Sequence, residues 1–240
     1  MGAKDKNYLL EKIVEIIRTE QKGKVLDLGC GDGDYSVRLQ ELGFDVIAGD
    51  MDVKRFKHAD KIDFRVCDLT QRLPFEDGSF DHILLAEVIE HLRNPYDVMK
   101  ELSRVLKKGG KLIVSTPNIL NLKSRVRFLI EGCWEFFRET PLEHSLNPKE
   151  VIWNVHLIPW RYHELEYLLK CSGLLVEGIH TSIYEGKGYS FLVPAIKFQL
   201  QSKQNRALRS GGMDQSRINK ILLSKEVLFG RHLILKTRKD

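Results

Sequence analysis

The 240-residue chain has little cysteine, little proline and no long apolar run. Its four cysteines, Cys30, Cys67, Cys133 and Cys171, stand 37, 66 and 38 positions apart and form no CxxC pair. That spacing argues against a zinc ribbon, a thioredoxin-type site and a disulfide scaffold, and reduced thiols in a cytoplasmic protein are the plain reading. The longest apolar stretch, Phe191 to Ile196, is six residues and contains Pro194. A membrane-spanning helix needs roughly 20. The first two dozen residues mix acids and bases and lack the apolar core of a signal peptide. Repeats and low-complexity segments are absent. With 42% apolar and 30% charged residues, the composition is that of a folded chain able to bury a sizeable core in a single domain, 1–240.

Charge of one sign is scarce only locally. The formal net charge is +5, but residues 1–186 hold 26 bases and 30 acids, whereas residues 187–240 hold 12 bases and 3 acids.

What is present is an alternation. Tyr8, Leu9, Ile13, Ile16 and Ile17 share one helical face. Strands are expected at Lys24–Leu28, Asp45–Gly49, Asp63–Cys67, Phe80–Ala86 and Lys111–Ser115, with helices at Tyr35–Leu42 and Pro95–Leu106. Strands separated by helices or by crossover-length segments imply a parallel sheet covered on both faces, an α/β doubly wound fold. Beyond Asn118 the periodicity weakens. Residues 119–160 read as irregular, aromatic and histidine-rich, and 187–213 read poorly. A helix over Arg161–Cys171, a strand over Leu174–His180, a helix from an Asp214 cap to about Phe229 and a strand over His232–Thr237 complete the expectation.

The strongest local signal is Val25-Leu26-Asp27-Leu28-Gly29-Cys30-Gly31-Asp32-Gly33, a buried strand running into a glycine-rich turn and a helix. Glycines there let the backbone bend and approach a ligand closely. Asp34 stands where a dinucleotide motif would have its third glycine, and with Asp32 it would repel a pyrophosphate at the helix N-terminus. Asp50 closes the next strand, where a carboxylate can accept from both hydroxyls of a ribose. A ligand with a ribose, no phosphate and a positive group near Asp27 fits these acids, and S-adenosylmethionine (AdoMet) is such a ligand.

Residues 23–118 resemble the class I AdoMet-dependent methyltransferases, in particular the ubiquinone/menaquinone-biosynthesis-like (methyltransferase type 11) group. Asp27 to Gly33 resembles the first AdoMet-binding motif, Asp50 the ribose acid and Met51 its adenine-packing neighbour. Cys67-Asp68-Leu69 resembles the segment facing the adenine amino group, Phe80 to Ala86 the fourth-strand motif, and Arg104 to Leu112 the turn into the fifth strand, with Lys108 where proline is usual. The resemblance implies a Rossmann-like seven-stranded sheet with an antiparallel last strand. It also implies S-adenosyl-L-methionine as cofactor, held by Asp27, Gly29, Cys30, Gly31, Gly33, Asp50, Met51, Asp68, Leu69 and Ala86.

For the chemistry, Glu87, Glu90 and His91 follow the fourth strand at helical offsets that would bring them together. They could supply a general base, a substrate contact or ligands for a divalent cation. The same E-x-x-E-H pattern resembles the ubiquinone-biosynthesis O-methyltransferases, where it is associated with such an ion. His144, Asn147, His156, Pro159, Trp160, Arg161 and His163, with Trp134, Phe136, Phe137 and Trp153, suit an acceptor pocket. The expected activity is methylation, at oxygen, of a small-molecule or lipid-linked acceptor. RNA or protein methylation and a non-catalytic AdoMet-binding module are the alternatives. The basic region 187–240 is either a solvated face or a contact for an anionic partner, such as a peripheral membrane surface. It lacks the stacking aromatics expected of a nucleic-acid binder.

Overall fold

A computed structural model describes residues 3–137, 156–210 and 214–240. Strands β1 (Lys24–Leu28), β2 (Asp45–Asp50), β3 (Asp63–Val66), β4 (Phe80–Ala86), β5 (Leu106–Pro117), β6 (Leu174–His180) and β7 (His232–Lys239) form one sheet in the order 3-2-1-4-5-7-6. β7 pairs antiparallel with both β5 and β6, and the other pairings are parallel. The seven-stranded expectation therefore holds, including the reversed last strand.

The strand sequences are apolar on consecutive positions because both faces of the sheet are covered. Adjacent residues point to opposite faces. Ile83 and Leu85, Leu112 and Val114, and Leu233 and Leu235 enter one core; Leu84, Ile113 and Ile234 enter the other. The first core is closed by α3 (Pro95–Val105), through Val98, Met99, Leu102 and Val105, and by α5 (Tyr162–Cys171), through Leu165, Leu168 and Leu169. The second is closed by α1 (Ala3–Ile17), through Leu9, Ile13, Ile16 and Ile17, and by α2 (Asp34–Glu41), through Tyr35 and Leu39. Asn94 starts α3 by accepting the Asp97 N–H, with Pro95 pre-set for the first turn.

Four readings are corrected. Residues 122–131 form α4 (Leu122–Glu131), capped by Asn121 accepting from Ser124 N at 2.8 Å and stopped by Gly132 in the left-handed region. It escaped the periodicity test because Leu129 and Ile130 face solvent rather than a core. Residues 193–209 form α6 (Val193–Arg209), which buries only Gln204 and so carries no apolar stripe to detect. The single helix expected after Asp214 is two, α7 (Ser216–Leu222) and α8 (Lys225–Phe229), because Ser224 turns extended and caps the second. β5 starts at Leu106, ahead of the expected Lys111, and absorbs Lys107–Gly110 in a register shift opposite Phe80/His82. His144, Asn147 and Trp153 lie outside the described residues.

Candidate active site

After β1 the chain passes to β2 on one side, while β4 lies on the other, so β1 and β4 flank the point where the strand order reverses. Clefts open there, beyond the carboxyl ends of the strands. The loop Gly29–Gly33 lies at that end of β1. Gly29 has φ 73°, and a Cβ on it would stand 2.4 Å from Val88 Cγ2. The loop following β4 is therefore seated directly on the loop following β1.

Asp50 organises the nucleotide side. One oxygen accepts the Gly31 N–H at 2.8 Å and the other the Asp52 N–H at 2.9 Å. Each carboxylate oxygen retains capacity for a further donor, as a ribose diol would need. Met51 is exposed beside it. Asp68 Oδ1 accepts both the backbone N–H and the hydroxyl of Thr70 at 2.8 Å, which fixes the Asp68-Leu69 turn. Asp27 takes a different place from the expected direct ligand. It is 1% exposed and accepts the Ser36 hydroxyl at 2.5 Å, bracing β1 against α2 beneath the loop. Burial pushes its carboxyl up to about 7; Ser36 lowers it and the charge of Asp50 raises it further. Burial likewise pushes the Cys30 thiol up, so it stays neutral and is no nucleophile. These groups fit AdoMet: the loop is glycine-built, and Asp50 keeps acceptor capacity at the strand end.

The chemical side departs from the expected convergence of Glu87, Glu90 and His91. Glu87 adopts φ 55°, outside the short 3-10 turn Ile89–His91, and points elsewhere. Its Oε1 accepts the Ser115 hydroxyl at 2.8 Å and its Oε2 stands 3.9 Å from His232 Nε2. His232 Nδ1 in turn meets Ser182 Oγ at 2.5 Å. Burial pushes the Glu87 carboxyl up to about 7, against the lowering effect of Ser115 and Arg231. Glu90 is fully buried, its two carboxyl oxygens without hydrogen bonds among the described residues, and burial followed by the charge of Glu87 holds its pKa well above the usual range. What joins Glu90 and His91 is His156. Ligating atoms of the three lie within 4.8 Å of one another, and the two imidazoles meet edge to face with centroids 4.8 Å apart.

His156 arrives on a strap sewn to the 3-10 turn. Leu157 N and Ile158 N both donate to Glu90 O, at 2.7 and 3.1 Å, and Trp160 Nε1 donates to Ile89 O at 3.3 Å. His156 Nδ1 is paired with Phe136 O at 2.7 Å, which orients the other ring nitrogen. His156 and Trp160 thus take the place expected of the aromatic cluster, with the Phe137 ring against His156, and Trp134 stacks on Phe128. Ser115, Ser182, His232 and the seat made by Val88 were not legible in sequence, since partners across β4, β5 and β7 depend on register. In the structure Asn118 Nδ2 donates to the carbonyls of Glu226, Val227 and Gly230, tying the end of β5 to the entrance of β7.

Comparison with known proteins agrees with this geometry. The family described as "Methyltransferase domain" matches residues 26–114. A ubiquinone biosynthesis O-methyltransferase of Xanthomonas oryzae is 35% identical over 103 residues, 40% of this chain and 43% of the relative, so the chain spans less than half of that relative's length in the match. One from Xanthomonas axonopodis is 29% identical over 177 residues, covering 70% of each chain. Among solved structures, a SAM dependent methyltransferase from Archaeoglobus fulgidus superposes with TM-score 0.59 at 17% identity, covering 96% of this chain and 94% of that one. A putative methyltransferase from Bacillus halodurans gives TM-score 0.61 at 17% identity, with coverage of 96% and 98%. These two likenesses speak for the fold, and the sequence matches speak for the 26–114 core that builds the loop and its ribose acid. Over residues 26–114 the chain matches the methyltransferase domain family, and with the strand order and the glycine loop in their places its fold is that of the class I S-adenosylmethionine-dependent methyltransferases.

Proposed function

We propose that the protein transfers a methyl group from AdoMet to an oxygen of a small-molecule acceptor, lipid-linked or free. The seating of Val88 on Gly29 carries this reading, because it sets the loop suited to AdoMet and the Glu87–His91 segment on one floor at the end of β1 and β4. Relatives named as O-methyltransferases support oxygen as the acceptor atom. Residues 23–118 would hold AdoMet and 119–240 the acceptor, working as one domain. Four free cysteines suit a reducing, cytoplasmic setting, and among the described residues no helix is long and apolar enough to cross a membrane.

AdoMet bound here supplies a sulfonium methyl group that needs little activation. The protein's part is alignment, exclusion of water and removal of the acceptor proton. His91 takes that proton. Its Nε2 lies 4.0 Å from Glu90 Oε1, and positive charge on the imidazole favours the carboxylate form of Glu90 that burial otherwise opposes. His156, held by Phe136 O, supports the His91 ring from its edge.

A second reading is favoured by the buried carboxyl of Glu90, which stands beside the imidazoles of His91 and His156. Glu90, His91 and His156 together form a carboxylate and two-imidazole donor set that would hold a divalent cation, whose chemistry would be to acidify an acceptor hydroxyl. Calorimetry with AdoMet and NAD, followed by transfer assays on phenolic acceptors with and without chelator, tests these readings. AdoMet binding without NAD binding is expected, and the reverse would sink the proposal. Turnover undiminished by chelator retains His91 as the base and removes the cation.

A further inference from the structure

Eleven of the twelve bases in residues 187–240, all but the exposed Lys220, fall into two populations in the structure. Arg217 is paired with Glu166, Arg231 with Glu185, Lys236 with Glu20 and Arg238 with Glu177. Lys225 covers the Tyr184 ring, and Lys239 donates to the carbonyls of Ser103 and Leu106. Those six bases serve the fold. By contrast, Lys187, Lys197, Lys203, Arg206 and Arg209 are all exposed, and none has a carboxylate within 4.0 Å among the described residues. The stretch 187–209 contains these five bases and no acid.

The same stretch exposes its largest apolar side chains. It comprises a 3-10 segment, Lys187–Leu192, continuing directly into α6. Phe191 is 71% exposed and Phe198 75%, seven residues apart, about two helical turns. Pro194 and Ala195, between them, are exposed as well. Apolar surface shown singly is ordinary, but two exposed phenylalanines, one on the 3-10 segment and one on the helix it continues into, lined with exposed bases, make an amphipathic, cationic face. The helix buries little against its own fold, so its sequence is accounted for by something outside the fold. Charge complementarity selects an anionic partner, and the phenylalanines select one with an apolar layer under the charge.

We propose that residues 187–209 form a docking face for an anionic lipid bilayer, with Phe191 and Phe198 entering the headgroup boundary and the five bases meeting the lipid phosphates. The face is tied to the candidate active site by non-covalent contacts of residues 182–186. Ser182 touches His232, Glu185 pairs with Arg231, and Gly186 starts the 3-10 segment against Lys123 of α4. Docking would therefore set the mouth of the site near the membrane surface, where a lipid-linked acceptor would be found. The surface stands on its own observations and does not depend on which acceptor is methylated.

The test is co-sedimentation of the full chain with phosphatidylcholine vesicles, with and without about one third phosphatidylglycerol. Three variants are compared with the wild type: Phe191→Ser/Phe198→Ser, Lys197→Gln/Arg206→Gln/Arg209→Gln, and Lys108→Gln as an exposed base elsewhere. Binding to the anionic vesicles alone is expected, weakened as salt rises from roughly 0.1 M to roughly 1 M and the Debye length falls from about 10 Å to about 3 Å. The triple variant should lose roughly a hundredfold in partitioning, at about fivefold per base. The double phenylalanine variant should lose roughly tenfold or more, and Lys108→Gln should bind as wild type. Equal binding to neutral vesicles, or unchanged partitioning in the triple variant, would overturn the proposal. So would retention on single-stranded RNA with vesicles ignored. Circular dichroism and AdoMet calorimetry on each variant separate loss of the surface from loss of the fold or of the methyltransferase reading.

Discussion

The replacement Asp27→Asn isolates one buried charge beneath the cofactor loop. In the folded protein the Asp27 carboxyl titrates at about 7, against 3.8 unperturbed, with burial the main cause and the Asp50 charge adding to it. A group whose folded pKa is raised binds more protons in the folded state between those values, so its contribution to stability is lost as pH rises through that window. The difference corresponds to on the order of 4 kcal/mol. Asparagine has the same shape, can still accept from Ser36 and does not titrate. The unfolding free energy of wild type minus that of Asp27→Asn should therefore become more negative by a few kcal/mol between roughly pH 4 and pH 8. Urea unfolding without AdoMet, across that range, measures it. Subtracting the variant cancels most of the contribution of Glu87 and Glu90, whose raised values likewise take stability away as pH rises. A bound cation near Asp27 should draw its proton off, so wild-type AdoMet affinity should climb with pH in the same window while that of the variant stays level. A pH-independent difference in stability would refute the placement of Asp27 as a buried strut.

Two further expectations follow from single side chains. Asp50→Ala removes the acceptor of the Gly31 N–H together with the ribose partner, and calorimetry should show AdoMet binding roughly 10- to 100-fold weaker; unchanged affinity would reject that role. Asn118→Ala strips the Val227 and Gly230 carbonyls of a buried donor at 3.0 and 2.8 Å, costing about 1–3 kcal/mol. A thermal melt should show a fall in Tm of roughly 3–10 °C, and an unaltered melt would mean that β7 is anchored without it.

Legibility in the sequence tracked burial. β1, β4 and β6 fall where composition and periodicity place them, since they carry apolar residues that only a covered sheet can use. Gly29, Gly31 and Asp50 were equally legible, because a loop that must bend at the end of a strand leaves glycine as its trace. The helix α6 left no trace: it faces solvent, so its side chains answer to no core. The grouping around Glu90 was half legible. Spacing along one helix would unite Glu87 with Glu90 and His91, but the left-handed backbone at Glu87 turns its carboxyl toward Ser115 and His232. Its place is taken by His156, 65 positions after His91. Local spacing cannot foresee a long-range strap or a single residue at positive φ.

The fit of Val88 on Gly29 sets a mechanical tolerance. The clearance between the two loops is less than one methyl group, since even a Cβ on Gly29 would come within 2.4 Å of the valine. Parts that meet with so little play move together or not at all. A ligand that shifts the Gly29–Gly33 loop by a fraction of an ångström must displace Val88, and with it the turn that carries Glu90 and His91. A ligand on either side would then gauge the cleft for the other, a reciprocal coupling of the two sites.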